Sequence, residues 1–349
     1  MLVSWRNGFY SLLLAASVAT LPAPAVAAVL KIATWAPEGS QWMREMRSSA
    51  AAIKERTDGR VVVKYYGGGV MGNDKKVLRK IRIGQLQGGA FSASGLVDRY
   101  PDIALYGLPL IFRSQAEVDY IRERFDPVLM DGLEQAGFVS FGLAGGGFAL
   151  MMSSEPATRL DDMRGLKIWV PEGDRISSLA MVAMNLSPVV LPISDVLTGL
   201  QTGLVDIVAT PPVGAVLLQW YTKVHYVTEL PIAYTLGLMA VDKRAFDQLS
   251  EPDQKIVREV MTATYDAFEQ TNRTDNEAAK SAMQSNGLQF IPAAPGTALE
   301  WRRQVMPTNI AFWAEGSSTP ELLPQMLEAL DRFRTQSEIP STAEAAADR

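Results

Sequence analysis

Read along its hydrophobic and polar positions, the chain alternates two periods. VLKIAT (29–34) is a short, largely apolar run of strand character. Pro37, Glu38 and Gly39 mark a turn, and Ser40 is placed to cap a helix in which Trp42, Met46, Ala50 and Ile53 recur at helical spacing. Thr57-Asp58-Gly59 ends that helix, with Gly59 as a left-handed cap. RVVVKYY (60–66) predicts a second strand, 73–83 a helix with Val77, Leu78 and Ile81 on one face, and LQGGAFSAS (86–94) a third strand. This order predicts a parallel sheet with helices on its faces, and ligands in such sheets sit beyond the carboxyl ends of the strands. Trp35 and Ser92–Ser94 fall at such ends.

The same grammar restarts further on. Residues 166–170 predict a strand, 175–185 a helix and 187–192 an extended segment. Ser194 is placed to cap a helix with Val196, Leu197, Leu200 and Leu204 on its apolar face, and 205–209 predict another strand. Residues 234–241 read as a strand returning to the first unit. Glu251 to Asn286 has no internal Gly and only Pro252, at its first turn; a helix of that length spans about 50 Å, enough to brace two domains. The fold class expected is α/β, two lobes around a central cleft. The expected lobes are 29–148 with about 235–270, and 149–234 with about 271–335.

The ends differ from the rest. Arg6 is the only charge in residues 1–28; a short apolar run is broken by Pro22 and Pro24, and Ala25-Val26-Ala27 has the small-x-small form of a cleavage site. The run is shorter than the roughly 20 residues that span a bilayer. Residues 1–28 are therefore expected to be an export signal, an N-terminal anchor being the alternative. The small, polar, Ala-rich residues 336–349 are expected to be a flexible tail.

Without residues 1–28 the chain has 32 basic and 38 acidic residues, a net charge of −6, which disfavours a nucleic-acid partner. There is no Cys, so an exported chain must rely on its core.

Candidate chemistry is sparse. Gly67-x-Gly69-x-x-Gly72 follows a strand, but position 92, where a ribose-binding acid belongs, is Ser, and the nearest downstream acid is Asp98. A Gly-rich strand-to-helix turn is the simpler reading. His225 is the only His; it lies in WYTKVHYVTEL and reads as a packed strand residue, and Trp220 and Tyr221 of the same stretch are expected to pack between lobes. No G-x-S-x-G elbow occurs. No catalytic site, metal or cofactor is expected. Two α/β units with export and no reactive constellation point to a solute-binding protein that closes on a small molecule by hinge motion. An exported hydrolase or a periplasmic sensor module remains as the alternative.

Several segments in order carry a resemblance: KIATWAPEGS; GGGVMGNDKKVLRKIRIGQLQ; LYGLPLIFRSQAEV (105–118); LDDMRGLKIWVPEGD (160–174); PISDVLTGLQTGLVDIVATPP (192–212); and VDKRAFDQLSEPDQKIV (241–257). The chain resembles the DctP-type solute-binding proteins of tripartite ATP-independent periplasmic (TRAP) transporters over about 30–330. The resemblance implies a long helix shared by both lobes, a periplasmic location, and a partner permease of small and large membrane subunits driven by an ion gradient. It also favours a monomer and implies no enzymatic activity.

The chain departs from that family where the ligand is gripped. Most members have Arg at the position of Trp169, a guanidinium that forks onto the ligand carboxylate. A second ligand-facing Arg corresponds to Ala149, a usual Asn to Thr210 and a usual Phe to Ile193. A pocket so changed predicts a neutral, apolar or aromatic ligand, since an unpaired buried carboxylate is costly. Trp35 and Trp169 are then expected to contact it from opposite lobes, with Phe91, Phe148 and Tyr234 nearby, Val170 and Pro171 on the strand end, and Ser92 and Ser94 donating hydrogen bonds. Two alternatives stay open. A carboxylate ligand would use a relocated Arg175, with Trp169 merely plugging the cleft. A cationic ligand would stack on the Trp rings beside Glu38 and Glu172.

Overall fold

The structure, a computed structural model, describes residues 27–338. The expected signal and tail lie mostly outside the described residues; at their inner edges the first strand begins at Ala28 and the last helix reaches Glu338.

The first half runs β1 (Ala28–Ala33), α1 (Gln41–Arg56), β2 (Val61–Tyr66), α2 (Asp74–Arg82), β3 (Gly88–Ser92), α3 (Ala93–Leu96), α4 (Gln115–Gln135), β4 (Phe138–Val139) and β5 (Ala144–Ser153). The pattern's expectations hold here. Ser40 caps α1 by accepting from the Met43 N–H, Asn73 caps α2 by accepting from Lys76, and β1 pairs parallel to both β2 and β3. The second half runs β6 (Lys167–Pro171), α5 (Arg175–Ala183), β7 (Ser187–Leu191), α6 (Val196–Thr202), β8 (Ile207–Thr210), α7 (Pro212–Leu217), β9 (Tyr226–Asp242), α8 (Lys243–Phe246), α9 (Glu251–Ser285), β10 (Gln289–Pro292), α10 (Thr297–Gly316) and α11 (Leu322–Glu338). β6 pairs parallel to β7 and β8.

One sheet joins both lobes in the order β2-β1-β3-β9-β5-β8-β6-β7. β9 is the crossing strand. Its later residues pair antiparallel with β3 and its earlier ones with β5 and β10, so it extends well before the expected 234–241. Its register with β5 shifts between Gly145 and Gly147, a bulge where Gly147 takes a φ of +96°. A residue with a Cβ is rarely found there.

Apolar clusters cover both faces of each lobe's sheet. Ile32, Met46, Ile53 and Phe246 pack on one face of the first lobe, and Phe91, Ile103, Ile121 and Leu238 on the other. Met181, Ile207 and Trp301 pack on one face of the second, and Met152, Trp169 and Trp220 on the other. α9, 35 residues long, braces both lobes as its length predicts. Val257, Met261 and Tyr265 pack with α1, and Trp42 stacks on Phe268. At the far end, Met283 enters the second lobe's core beside Trp220.

Four expectations are corrected. Ser194 does not cap a helix: it lies in the 3-10 turn Ile193–Asp195, bonded to Asp195, and α6 follows. His225 is exposed just before β9, facing the Ser154 carbonyl at 3.3 Å. Trp220 packs within the second lobe rather than between lobes. Residues 271–335 do not all belong to the second lobe: Leu322, Leu323, Met326 and Leu330 of α11 pack into the first lobe's core with α4.

Candidate functional site

The carboxyl ends of the parallel strands face one another across a cleft of about 250 Å³. From the first lobe come Thr34 and Trp35 after β1, Met71 to Val77 around the β2–α2 turn, and Ser92, Ser94, Gly95 and Asp98 after β3. From the second come Pro171, Glu172 and Gly173 after β6, and Pro192 to Asp195 after β7. This is where a parallel sheet leaves strand-end backbone and helix N-termini open to a ligand.

The β2–α2 turn shapes the first wall. Gly68 and Gly69 adopt left-handed φ of 62° and 70°, and their N–H groups donate to the Ala36 and Thr34 carbonyls at 2.8 and 3.0 Å. The glycine run is thus a strand-to-helix turn docked on the segment that carries Trp35, as the simpler reading held. Ser92 and Ser94 hydrogen-bond to each other at 3.0 Å.

The lobes touch across the cleft. Asn73 Nδ2 donates to Glu172 Oε2 at 2.6 Å, and Lys75 Nζ lies 4.0 Å from Glu172 Oε1. Gly173 sits over the Ser94 carbonyl, where a Cβ would be at 3.4 Å. Ile176, at the start of α5, packs into the first lobe's core.

The charge on the walls is mostly acidic. Asp74, Asp98, Glu172 and Asp195 line the cleft, against Lys75 and Lys76, and among the described residues no Arg does. Burial, and to a lesser degree the Glu172 charge, push the Asp74 carboxyl up to about 6. Among the described residues no group of His, Asp and Glu is arranged to hold a metal ion.

Of the residues singled out from sequence, Trp35, Ser92, Ser94, Pro171, Glu172 and Ile193 line this cleft. The others do not. Trp169 is 5% exposed in the second lobe's core: its ring meets Trp220 edge-on at 4.9 Å, and its Nε1–H donates to the Leu191 carbonyl at 3.0 Å. It stands in the core, outside the residues that line this cleft. An indole has one donor and a large apolar face, and here the neighbouring strand takes the donor and Trp220 the face. Phe91, Ala149, Val170, Thr210 and Tyr234 are likewise buried. Phe148 packs edge-on against Tyr234 at 5.4 Å. Glu38 is exposed and paired with Arg47 at 2.8 Å. Arg175 is exposed at the start of α5, outside the cleft wall.

The sequence reading missed Asn73, Asp74, Lys75 and Lys76. The signal was present: a strand followed by a glycine turn and a capped helix sets that helix's first residues at the strand's carboxyl end.

Two lobes of mixed α/β structure, joined by a crossing strand around a cleft of strand ends, define the solute-binding class of protein. The profile of the DctP family, bacterial extracellular solute-binding protein family 7, matches residues 32–315. The chain belongs to this family, whose members are periplasmic TRAP receptors rather than enzymes and work with membrane permease subunits. It is 26% identical to the C4-dicarboxylate-binding periplasmic protein DctP of Rhodobacter capsulatus, over 72% of this chain and 77% of that one. Solved TRAP solute-binding structures share the fold. One from Desulfovibrio salexigens with bound orotic acid has a TM-score of 0.79 and 20% identity, covering 87% of this chain and 99% of its own. DctP7 of Bordetella pertussis, binding pyroglutamic acid, has a TM-score of 0.78 and 20% identity, covering 87% and 100%.

Proposed function

We propose that the chain is an exported receptor that captures a small organic molecule without a free carboxylate in its interlobe cleft and delivers it to a TRAP permease. Residues 1–28 would direct export, and small and large membrane subunits would receive the loaded, monomeric receptor. The observation that carries the ligand reading is the make-up of the cleft wall: among the described residues, four carboxylates, two lysines and no guanidinium. The relatives named above bind or carry carboxylates, for which a guanidinium fork is the natural partner. Here Trp and Ala stand where the family commonly has its two Arg, and Trp169 is committed to Leu191 and Trp220. Trp35 supplies apolar ring surface, and Ser92 and Ser94 supply hydroxyls. A neutral or cationic organic molecule suits such walls, because an anion would meet uncompensated like charge.

Native mass spectrometry of protein released gently from a periplasm, with its ligand then identified, tests this. A molecule lacking a carboxylate is the expected result. A small carboxylate would overturn the ligand reading and make Lys76 and Arg175 the first residues to substitute.

A further inference from the structure

Asp74 differs from the other acids on the cleft wall. Glu172 accepts from Asn73 and faces Lys75, Asp195 accepts from Ser194, and Asp98 is exposed. Asp74 is the first residue of α2 and partly buried, and no described group donates to its carboxylate or pairs with it. Its seat is made by Gly95: a Cβ there would collide with the carboxylate. The charged groups around it are Glu172 from the opposite lobe, Lys75 and Lys76 from its own helix, and Asp98 from beyond α3. Neither lysine reaches it in an ion pair.

A carboxylate so placed at neutral pH is a partly desolvated negative charge beside a second one. One organic cation in the cleft would relieve both, and Trp35 on the same wall offers the ring face that such cations favour. Among the described residues no group of three or more His, Asp and Glu side chains is arranged to hold a metal ion in its place. We infer that Asp74 is the specificity-determining residue of the cleft, and that it selects a ligand bearing a protonated amine or similar N–H cation over neutral or anionic ligands of the same size. The inference rests on the reading of the cleft as a site for a ligand without a carboxylate. As a first-turn acid Asp74 also gains from the α2 dipole, but that gain is blind to ligand charge. A merely structural role therefore predicts no preference.

The test uses three probes of one shape, benzylammonium, benzyl alcohol and benzoate, titrated calorimetrically into the purified protein. At about pH 8 benzylammonium is expected to bind at least about tenfold more tightly than benzyl alcohol. At about pH 4.5, where Asp74 holds its proton, the preference should vanish. Asp74→Asn, with its fold checked by circular dichroism, should lose the preference at both values; the pH comparison on the unaltered protein stands even if that variant fails to fold. Equal binding of alcohol and ammonium, no ammonium binding, or a preference that survives Asp74→Asn or the lower pH would overturn the inference alone. Benzoate binding most tightly would overturn the parent reading with it.

Discussion

Trp169 and Asp74 are residues whose neighbours decide their roles. Trp169 spends its one donor on Leu191 and its ring on Trp220, so its removal is a stability matter. Trp169→Arg should cost at least about 3 kcal/mol in urea unfolding, through a lost buried aromatic and an unpaired buried charge. An unfolding free energy equal to the parent's would show that the ring does not pack there. Asp74 has a folded-state value raised to about 6, so the folded chain holds this proton more readily than the unfolded chain does. The stability that goes with neutral Asp74 is complete below the ordinary carboxylate range and is lost as pH rises through about 6. Asp74→Asn should therefore raise Tm at about pH 8 and leave it nearly unchanged at about pH 4. Equal Tm shifts at both values would remove the burial argument.

At the scale of elements, the joint between lobes is the bulge of β5 against α9. Asn276 Nδ2 donates to the Gly146 carbonyl at 3.0 Å, and its Oδ1 accepts from the Val213 N–H at 3.2 Å, tying helix, bulge and second lobe together. Glu269, about two turns earlier, accepts from the Gly145 N–H at 3.0 Å and from Arg122 at 2.7 Å. Burial works against the Arg122 charge, yet Asp126 and Glu269 hold its pKa above the ordinary value. Asn276→Ala should cost about 1–2 kcal/mol, because it leaves partly buried backbone groups unpaired. It should also broaden the interlobe distance measured between spin labels. Gly147→Ala tests the same joint: a Cβ there would lie 2.8 Å from Asn276 Nδ2 at a φ of +96°. Unchanged distance distributions in both variants would show that α9 does not hold the bulge.

For the whole molecule, closure brings together groups far apart in sequence, Asn73 and Lys75 from one lobe and Glu172 from the other. Lys75 is largely exposed, so Glu172→Gln should change the unfolding free energy by no more than about 1 kcal/mol. Its effect should fall instead on the open–closed balance, seen as a larger radius of gyration by small-angle scattering without ligand. An unchanged radius would mean that the contact is a consequence of closure and not a contributor to it.

The sequence by itself determined the parts whose signals are local. Apolar periodicity, the cap at Ser40 and the turn glycines sufficed for the two α/β units. The uninterrupted run after Pro252 sufficed for the long brace. It also placed the cleft at strand ends through Trp35, Ser92, Ser94, Pro171 and Ile193. Only the tertiary structure decided the length of β9, because residues 226–233 become a strand through pairing with β5 and β10, partners distant along the chain. Only it sent α11 back to the first lobe and turned Trp169 into the core. A side chain's direction depends on which neighbours take its ring and its donor, and Trp220 and Leu191 reach Trp169 from other elements. The same reason hid Asp74: its exposure to the cleft and the pressure on its charge come from Gly95 and Glu172, which only folding brings beside it.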